Sequence, residues 1–192
     1  MIVNIELRGK IEAKFEETEK MLNTLPGGAI QAGCRALNRA ALTGRVAAIK
    51  KAKERYYINS TSLRNGMKLK KATKSMLLAK ITSKSTRREL IDFNVSPKEV
   101  IRGNKISQLK ISVKRGGSAK VIPRTFVEKG TQSGRVHVLQ RMGKERYPIH
   151  IKYGPSPTEM LSSADVIPYV EEQAGITLLK RLDHEIDYLL GK

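Results

Sequence analysis

The stretch from Gly134 to Ile151, GRVHVLQRMGKERYPIHI, contains two of the three histidines of the 192-residue chain. Histidine is the side chain that most readily serves general acid–base catalysis, because it exchanges a proton near neutral pH. The alternation of side chains along a β-strand places His137 and His150 beside arginines and a lysine, with no nucleophile or carboxylate on the same strand faces. The stretch is therefore not predicted to be a histidine active site.

Motifs of other catalytic and metal sites are also missing from the sequence. LPGGAIQAG lacks the GK[ST] ending of a phosphate loop, and neither GxSxG nor HExxH occurs. The histidines lack neighbouring ligands at metal spacing, and the single Cys34 excludes an intrachain disulfide and a multi-cysteine zinc site. Cys34 is expected to be a small buried residue on a helix. We predict no enzyme, no catalytic residue, no metal and no cofactor.

Positive charge dominates the composition. Lys and Arg number 37 against 18 acidic residues, for a net charge of +19, and such an excess implies contact with a polyanion or an acidic protein surface. Residues 21–88 hold 16 basic residues and one acidic residue, whereas residues 153–192 hold three basic and seven acidic ones. Two interpretations stay open: a solvated basic face, or a subunit with one positive and one negative surface that packs head to tail into a ring.

Nucleic acid is the other partner that a basic chain suggests. The sequence has no C2H2 spacing, no RNP motif and few aromatic residues for base stacking, although a helix-turn-helix over residues 30–72 stays open. General DNA binding or DNA packaging is therefore the alternative function, because phosphate attraction needs no sequence reading. No apolar run approaches the roughly 20 residues of a membrane span, and no signal peptide is evident. We expect a soluble chain, made in a reducing cytoplasm, with no membrane partner.

Residues 1–73 are predicted to be mainly helical and basic. After a short strand over residues 2–7, Ile11, Phe15 and Leu22 recur at helical spacing, and Pro26 follows. A second helix is expected from residue 29 to about residue 55, roughly 40 Å long. Its Ala and Gly side chains would let another element approach closely. Its predicted apolar face is Ile30, Leu37, Ala41, Leu42, Val46, Ala48 and Ile49, and its predicted partner-binding basic face is Arg35, Arg39, Lys50 and Lys53.

Residues 74–154 are predicted to form an antiparallel sheet of about five to six strands. Before it, a short helix over 63–67 is expected, capped by Ser60, Thr61 or Ser62. The predicted strands are 76–84, 89–95, 108–114, 119–128, 135–141 and 147–153. An acidic helix follows in residues 155–192, with possible breaks at Pro168 and Gly175. The prediction is one structural domain over residues 1–192 of α+β class, with long N-terminal helices, the sheet and a C-terminal helix.

The last two predicted strands form a two-faced hairpin if they pair. Strand alternation predicts that Val136, Val138, Ile149 and Ile151 pack inward. Pro148 cannot donate a hydrogen bond to a ladder, so its strand is expected at an edge. The residues predicted to contact a protein partner or DNA are Arg135, His137, Arg141, Lys144, Arg146 and Lys152.

The sequence VIPRTFVEKGTQSGRVHVLQRMGKERYPI, over residues 121–149, resembles the phage minor tail protein Z family, also called tail completion proteins. ALNRAA in the basic helix and LKKAT before the first predicted strand resemble the same family, and the likeness extends over roughly residues 10–153. The mixed segment TRRELIDFNVSPKEVIRGNK departs from a more strongly basic pattern. The family-motif residues expected to be structural are Pro123, Phe126, Gly134, Tyr147 and Pro148.

The resemblance implies a non-enzymatic structural protein of the virion, assembled in the host cytoplasm. Such proteins complete the head-proximal end of the tail, and support head–tail joining and the positioning of DNA for delivery. The implied partners are further copies of the chain in a ring, expected to be a hexamer, and the adjoining tail terminator, tail tube or head-connector proteins. Double-stranded DNA passing through the ring is a further possible partner.

Overall fold

The computed structural model describes residues 10–22, 26–100, 109–131 and 134–191. The strand predicted over residues 2–7 lies outside them. The helices are α1 Lys10–Met21, α2 Gly28–Arg55, α3 Ser60–Asn65, α4 Pro157–Leu161 and α5 Val166–Leu189. The strands are β1 Met67–Lys70, β2 Lys80–Ser83, β3 Asn94–Ser96, β4 Lys110–Ser112, β5 Lys120–Val121, β6 Thr125–Lys129, β7 Val136–Arg141 and β8 Ile149–Ile151, with a 3₁₀ turn at Leu90–Asp92.

The long basic helix is confirmed as α2, which packs along α5 with opposite direction. Arg55 at the end of α2 pairs with Asp165 before α5, and Arg35 near its start pairs with Glu185 near the end of α5. The contact is close because α2 presents small residues to it: a Cβ added at Gly44 would lie 3.3 Å from Val170 Cγ1. The buried residues of α2 are mostly alanines and glycines, with Ile49 as the one larger side chain among those described.

The predicted apolar face of α2 is therefore partly wrong. Ala41, Ala48 and Ile49 are buried, but Ile30 and Val46 are exposed. Helix periodicity finds the wide face that carries apolar residues. It does not show that α5 uses only the strip of smallest side chains, where the two backbones can come closest.

The short helix after α2 begins three residues before the predicted one. Its N-cap is Asn59, whose side-chain oxygen accepts a hydrogen bond from the Thr61 N–H, rather than Ser60, Thr61 or Ser62. The helix ends at Asn65, and Met67 already begins β1, a strand that the sequence did not predict. Asn competes well for the N-cap because its oxygen reaches the free backbone donors of the first turn.

The strands form three small antiparallel sheets in the described residues, with orders β1-β2, β3-β4-β5 and β6-β7-β8. The α+β class and the antiparallel pairing are confirmed, but the prediction of one sheet with five to six strands is wrong. Short strands at regular spacing indicate antiparallel pairing, yet periodicity does not show where one ladder stops. The position of β8 at the edge of its sheet agrees with the expectation from Pro148.

The main core lies where the sheets meet α2, α4 and α5. Its largest fully buried side chains include Phe93, Leu63, Met160 and Val138. The helix α5 runs unbroken through Pro168 and Gly175, so the predicted breaks are wrong. Pro168 lies in the first turn, where the missing N–H costs no helical hydrogen bond.

The helix α4 depends on a capping box that follows the predicted end of the sheet. Ser156 Oγ accepts from the Glu159 N–H at 3.2 Å, and Glu159 Oε2 accepts from the Ser156 N–H at 3.0 Å. Because Ser156 is buried, water cannot replace its hydroxyl. Ser156→Ala is expected to lower the free energy of unfolding by about 1 kcal/mol, measured by urea denaturation. Ser162→Ala is the control at the other end of α4; equal losses in both variants would contradict a specific role of the cap.

Candidate interaction surfaces

The hairpin of β7 and β8 has the predicted pairing but not the predicted faces. Leu139 lies opposite Ile151, and Arg141 lies opposite Ile149. Directly opposed residues share one face of a sheet, so Ile149 and Ile151 lie beside Arg141 instead of beside Val138. The inward face is formed by β7 and β6, where Val138 and Val127 are buried. Strand alternation gives the two faces of each strand, whereas register decides which faces coincide.

Carboxylates from outside the hairpin meet its predicted basic residues. His137 Nδ1 lies 2.7 Å from Glu89 Oε2, and both side chains are largely buried. Arg135 donates to Asp92 Oδ1 at 3.2 Å. Glu89 is 48 residues from His137 in the chain, so strand alternation alone does not predict a carboxylate beside this histidine. These two contacts fasten the 3₁₀ segment to β7, so Arg135 and His137 have a structural role within the chain.

The outer face of this sheet is amphipathic. The guanidinium of Arg141 lies 4.9 Å from the centre of the Phe126 ring, and its Nε is buried with no hydrogen-bond partner among the described residues. Arg141 and Phe126 line an open groove of about 400 Å³ with Lys144 and Arg124. A guanidinium on an aromatic ring is partly held by that ring, so Arg141 is less free for a partner than an exposed lysine.

The remaining predicted hairpin residues lie near its turn and its edge. Arg146 is exposed and lies 5.7 Å from the Tyr147 ring. Lys144 is exposed, whereas Lys152 is half-buried and its N–H donates to the Val138 carbonyl. Of the six residues predicted to contact a partner, Arg135, Lys144 and Arg146 are exposed, and Arg135 pairs with Asp92 of its own chain. Partner contact by this group stays a prediction.

The family-motif residues are mostly backbone determinants. The Pro123 carbonyl accepts a hydrogen bond from the Gln140 side chain at 3.0 Å, and Gly134 adopts a φ of +63°. A non-glycine residue rarely adopts that conformation. Pro148 accepts a hydrogen bond from the Met142 N–H, which closes the turn. Tyr147 is 66% exposed, so its side chain has no core role in the described part of the chain.

A basic groove lies on the face of α2 that points away from α5. The groove is open, has a volume of about 630 Å³, and is lined by Val46, Ile49, Lys50, Lys53, Glu54, Ser60, Arg64 and Arg115. The structure thus brings the predicted Lys50 and Lys53 together with two arginines that sequence reasoning missed. No local pattern marks Arg64 and Arg115, because they come from α3 and from the turn between β4 and β5.

Backbone contacts position these two arginines. The Arg115 N–H donates to the Arg55 carbonyl at 2.7 Å, and its guanidinium lies 4.5 Å from the Tyr57 ring. Arg64 is carried by α3, whose first turn is capped by Asn59. The one acidic lining residue, Glu54, accepts from Lys51 at 3.0 Å. The groove therefore combines four cationic side chains with the exposed apolar side chain of Val46.

The predicted basic residues at the start of α2 differ in their environments. Arg35 donates to Glu185 Oε2 at 3.1 Å and lies 5.9 Å from the Tyr188 ring. Glu185 is buried, and Arg181 is its second basic neighbour at 3.6 Å. Arg35 is thus part of the joint between α2 and α5, while Arg39 is exposed.

The helix α5 presents acidic residues on its outer side. Glu171, Glu172 and Asp187 are exposed. Asp183 pairs with Lys14 of α1 at 3.0 Å, and this hydrogen bond, together with a weaker effect of Glu17, holds the pKa of Lys14 above its ordinary value. The chain therefore carries its basic groove on one side of the α2–α5 pair and acidic residues on the other.

Within the described ranges, no cluster of three or more His, Cys, Asp or Glu residues could hold a metal ion. Among the same residues, no helix has the length and apolarity to span a bilayer. Cys34 is half-buried rather than fully buried, and its thiol donates to the Ala72 carbonyl at 3.3 Å.

Comparison with known proteins identifies the family. The sequence model described as prophage minor tail protein Z (GPZ) matches residues 15–191. The chain belongs to the prophage minor tail protein Z family. The match includes the acidic helix α5 of this minor tail protein, which the resemblance of residues 10–153 did not cover. No curated protein and no solved structure matches the chain.

Proposed function

We propose that this minor tail protein is a non-enzymatic structural subunit that completes the head-proximal end of the tail. It forms a ring there, supports head–tail joining and positions the DNA end for delivery. Membership of a tail-protein family supports a structural role in the virion. The observation that carries the finer proposal is the separation of a basic groove from an acidic helix surface on one subunit.

The basic surface has two candidate partners, an acidic protein surface and DNA. The exposed apolar side chain of Val46 in the groove lining favours a protein partner, because DNA offers phosphate charge along its backbone rather than an apolar ridge. The subunit thus contacts tail terminator, tail tube or head-connector proteins as well as its own copies. General DNA binding is the second candidate, supported by the four cationic side chains of the groove.

The proposal predicts a defect after tail assembly has begun. Deleting the coding sequence from an inducible prophage is expected to leave heads filled with DNA, but to abolish productive head–tail joining or DNA delivery. Electron microscopy of the lysate and an infectivity assay measure these outcomes, with the intact chain supplied in trans as the control. Normal, infectious virions without the chain would contradict the proposal.

The DNA-binding alternative has a different signature. A chain that binds DNA through phosphates loses affinity with salt, with a slope of about −0.9 per phosphate contact in a plot of log K against log salt. DNA packaging would replace the structural proposal if two results were found together. The purified chain would show a steep slope that a Lys50→Glu, Arg64→Glu variant loses, and the deletion strain would make empty heads.

A further inference from the structure

Two exposed ridges run along opposite sides of the α2–α5 pair. Gly44 of α2 faces Ala174 of α5 within the pair. An α-helix turns by about 100° per residue, so Val46 and Ile176, each two residues further on, point away from the partner helix. Val46 is 59% exposed and Ile176 is 57% exposed. The two ridges therefore lie on opposite outer surfaces of the same subunit.

The ridges match in pattern and differ in charge. The α2 ridge, defined as Arg39, Leu42, Val46 and Lys50, has a basic residue at each end and two apolar residues between them. The α5 ridge, defined as Glu172, Ile176, Leu179 and Asp183, has an acidic residue at each end and two apolar residues between them. Both ridges extend over the same number of residues, about 16 Å of helix.

We propose that the α5 ridge of one copy docks against the α2 ridge of the next copy. This inference rests on the proposed function, because it assumes that the copies form a ring. It specifies the two surfaces through which neighbouring copies bind each other. Because the ridges are different and lie on opposite sides, the contact is heterologous and leaves each subunit with one free ridge for a further neighbour. A closed ring forms when repeating the rotation between neighbouring copies brings the last copy into contact with the first.

The direction of the helices decides which residues meet. A rotation about an axis along the helices keeps their direction, so α5 of the next copy runs antiparallel to α2, as it does within the chain. Val46 then meets Ile176 of the next copy and Leu42 meets Leu179. Lys50 faces Glu172 of the next copy, and Arg39 faces Asp183, which already pairs with Lys14 of its own chain.

Two local features fit this contact. Arg64 and Arg115 stand beside the α2 ridge and would flank the acidic helix that enters the groove. On α5, a Cβ added at Gly175 would meet no atom within 4 Å among the described residues. A glycine inside a helix costs about 1 kcal/mol relative to alanine. Gly175 therefore leaves open space beside the α5 ridge, where a neighbouring copy can approach closely.

Cysteine crosslinking in assembled particles tests the contact. Full-length Val46→Cys, Ile176→Cys chains are incorporated into phage tails, and the tails are oxidised and separated without reducing agent. A ladder of linked copies is expected from the double variant, and dimers only from a mixture of the two single variants. Each single variant alone shows whether the native Cys34 forms crosslinks. The double variant Ile176→Cys, Val121→Cys is a second control, because both positions are exposed but they are not proposed to meet.

Charge reversal provides the second measurement. Lys50→Glu and Glu172→Lys are each expected to reduce incorporation into tails about tenfold, or ~1.4 kcal/mol, and their combination in one chain restores it. Three results would overturn the contact: infectious tails with no ladder, Val46→Cys dimers that persist when Cys34 is also replaced by serine, or a combined charge variant no better than the single ones. Those outcomes leave the proposed function intact, since that function is tested separately, by the heads and virions of the deletion strain and by the salt dependence of DNA binding.

Discussion

Replacing Phe93 with alanine is expected to lower the free energy of unfolding by about 3–5 kcal/mol. Phe93 is 1% exposed and belongs to the main core. It directly follows the 3₁₀ turn, where its N–H donates to the Leu90 carbonyl at 3.1 Å. Deleting the ring removes buried apolar surface and leaves a cavity that the surrounding elements can fill only in part.

Urea denaturation followed by far-UV circular dichroism measures the loss. Val121→Ala is the control, because Val121 is exposed and its truncation creates no cavity. A loss of less than about 1 kcal/mol for Phe93→Ala would mean that the ring does not lie in the core.

A double-mutant cycle tests the neighbour of the ring. A Cβ added at Gly154 would lie 2.7 Å from Phe93 Cε2, too close for a stable contact. Overpacking of this kind costs about 1–3 kcal/mol. In a Phe93→Leu background the ring atom is gone, so the cost of Gly154→Ala should fall. Additive losses in the double variant would show that the two positions do not touch.

Arg35→Ala is expected to lower the free energy of unfolding by about 1–2 kcal/mol, and Arg39→Ala by less than about 0.5 kcal/mol. Arg35 pairs with Glu185, whose side chain is only 6% exposed. Removing one partner of a buried pair leaves a charge without full compensation, which costs about 3–5 kcal/mol when both groups are buried. The loss is smaller here because Arg35 is 47% exposed and Arg181 stays near Glu185.

The two variants distinguish an arginine that stabilises the fold from an arginine that is free to bind a partner. Both arginines were predicted to form a basic face for a partner. If Arg35→Ala were as stable as Arg39→Ala, the Glu185 contact would contribute nothing to folding and Arg35 would return to the interaction surface. Thermal unfolding of the two variants at one pH and salt concentration gives the comparison.

The elements of the chain were well predicted where their signals are local. Helical spacing and the absence of proline gave α2, and β-branched alternation gave most of the strands, because these patterns act through neighbours in sequence. β1 was missed because it directly follows a short helix. The sequence predicts one sheet where the structure has three, because the end of a ladder depends on hydrogen bonds between remote residues.

The candidate surfaces depend more strongly on tertiary structure. Lys50 and Lys53 were predicted, but Arg64 and Arg115 join them only because α3 and the β4–β5 turn pack beside α2. His137 was predicted on a cationic face, and its neighbour Glu89 comes from another segment. The role of the hairpin residues in partner binding, and the single domain over residues 1–192, stay predictions.

The sequence by itself determined the family, the α+β class, the long basic helix and the opposite charges of the middle and the end of the chain. Composition and local periodicity are enough for these, since each is a property of consecutive residues. Only the tertiary structure decided that the small residues of α2 meet α5, that Arg35 binds a buried carboxylate, and that Val46 and Ile176 face outward on opposite sides. These features depend on which apolar surfaces are buried against each other, and those surfaces come from residues far apart in the chain.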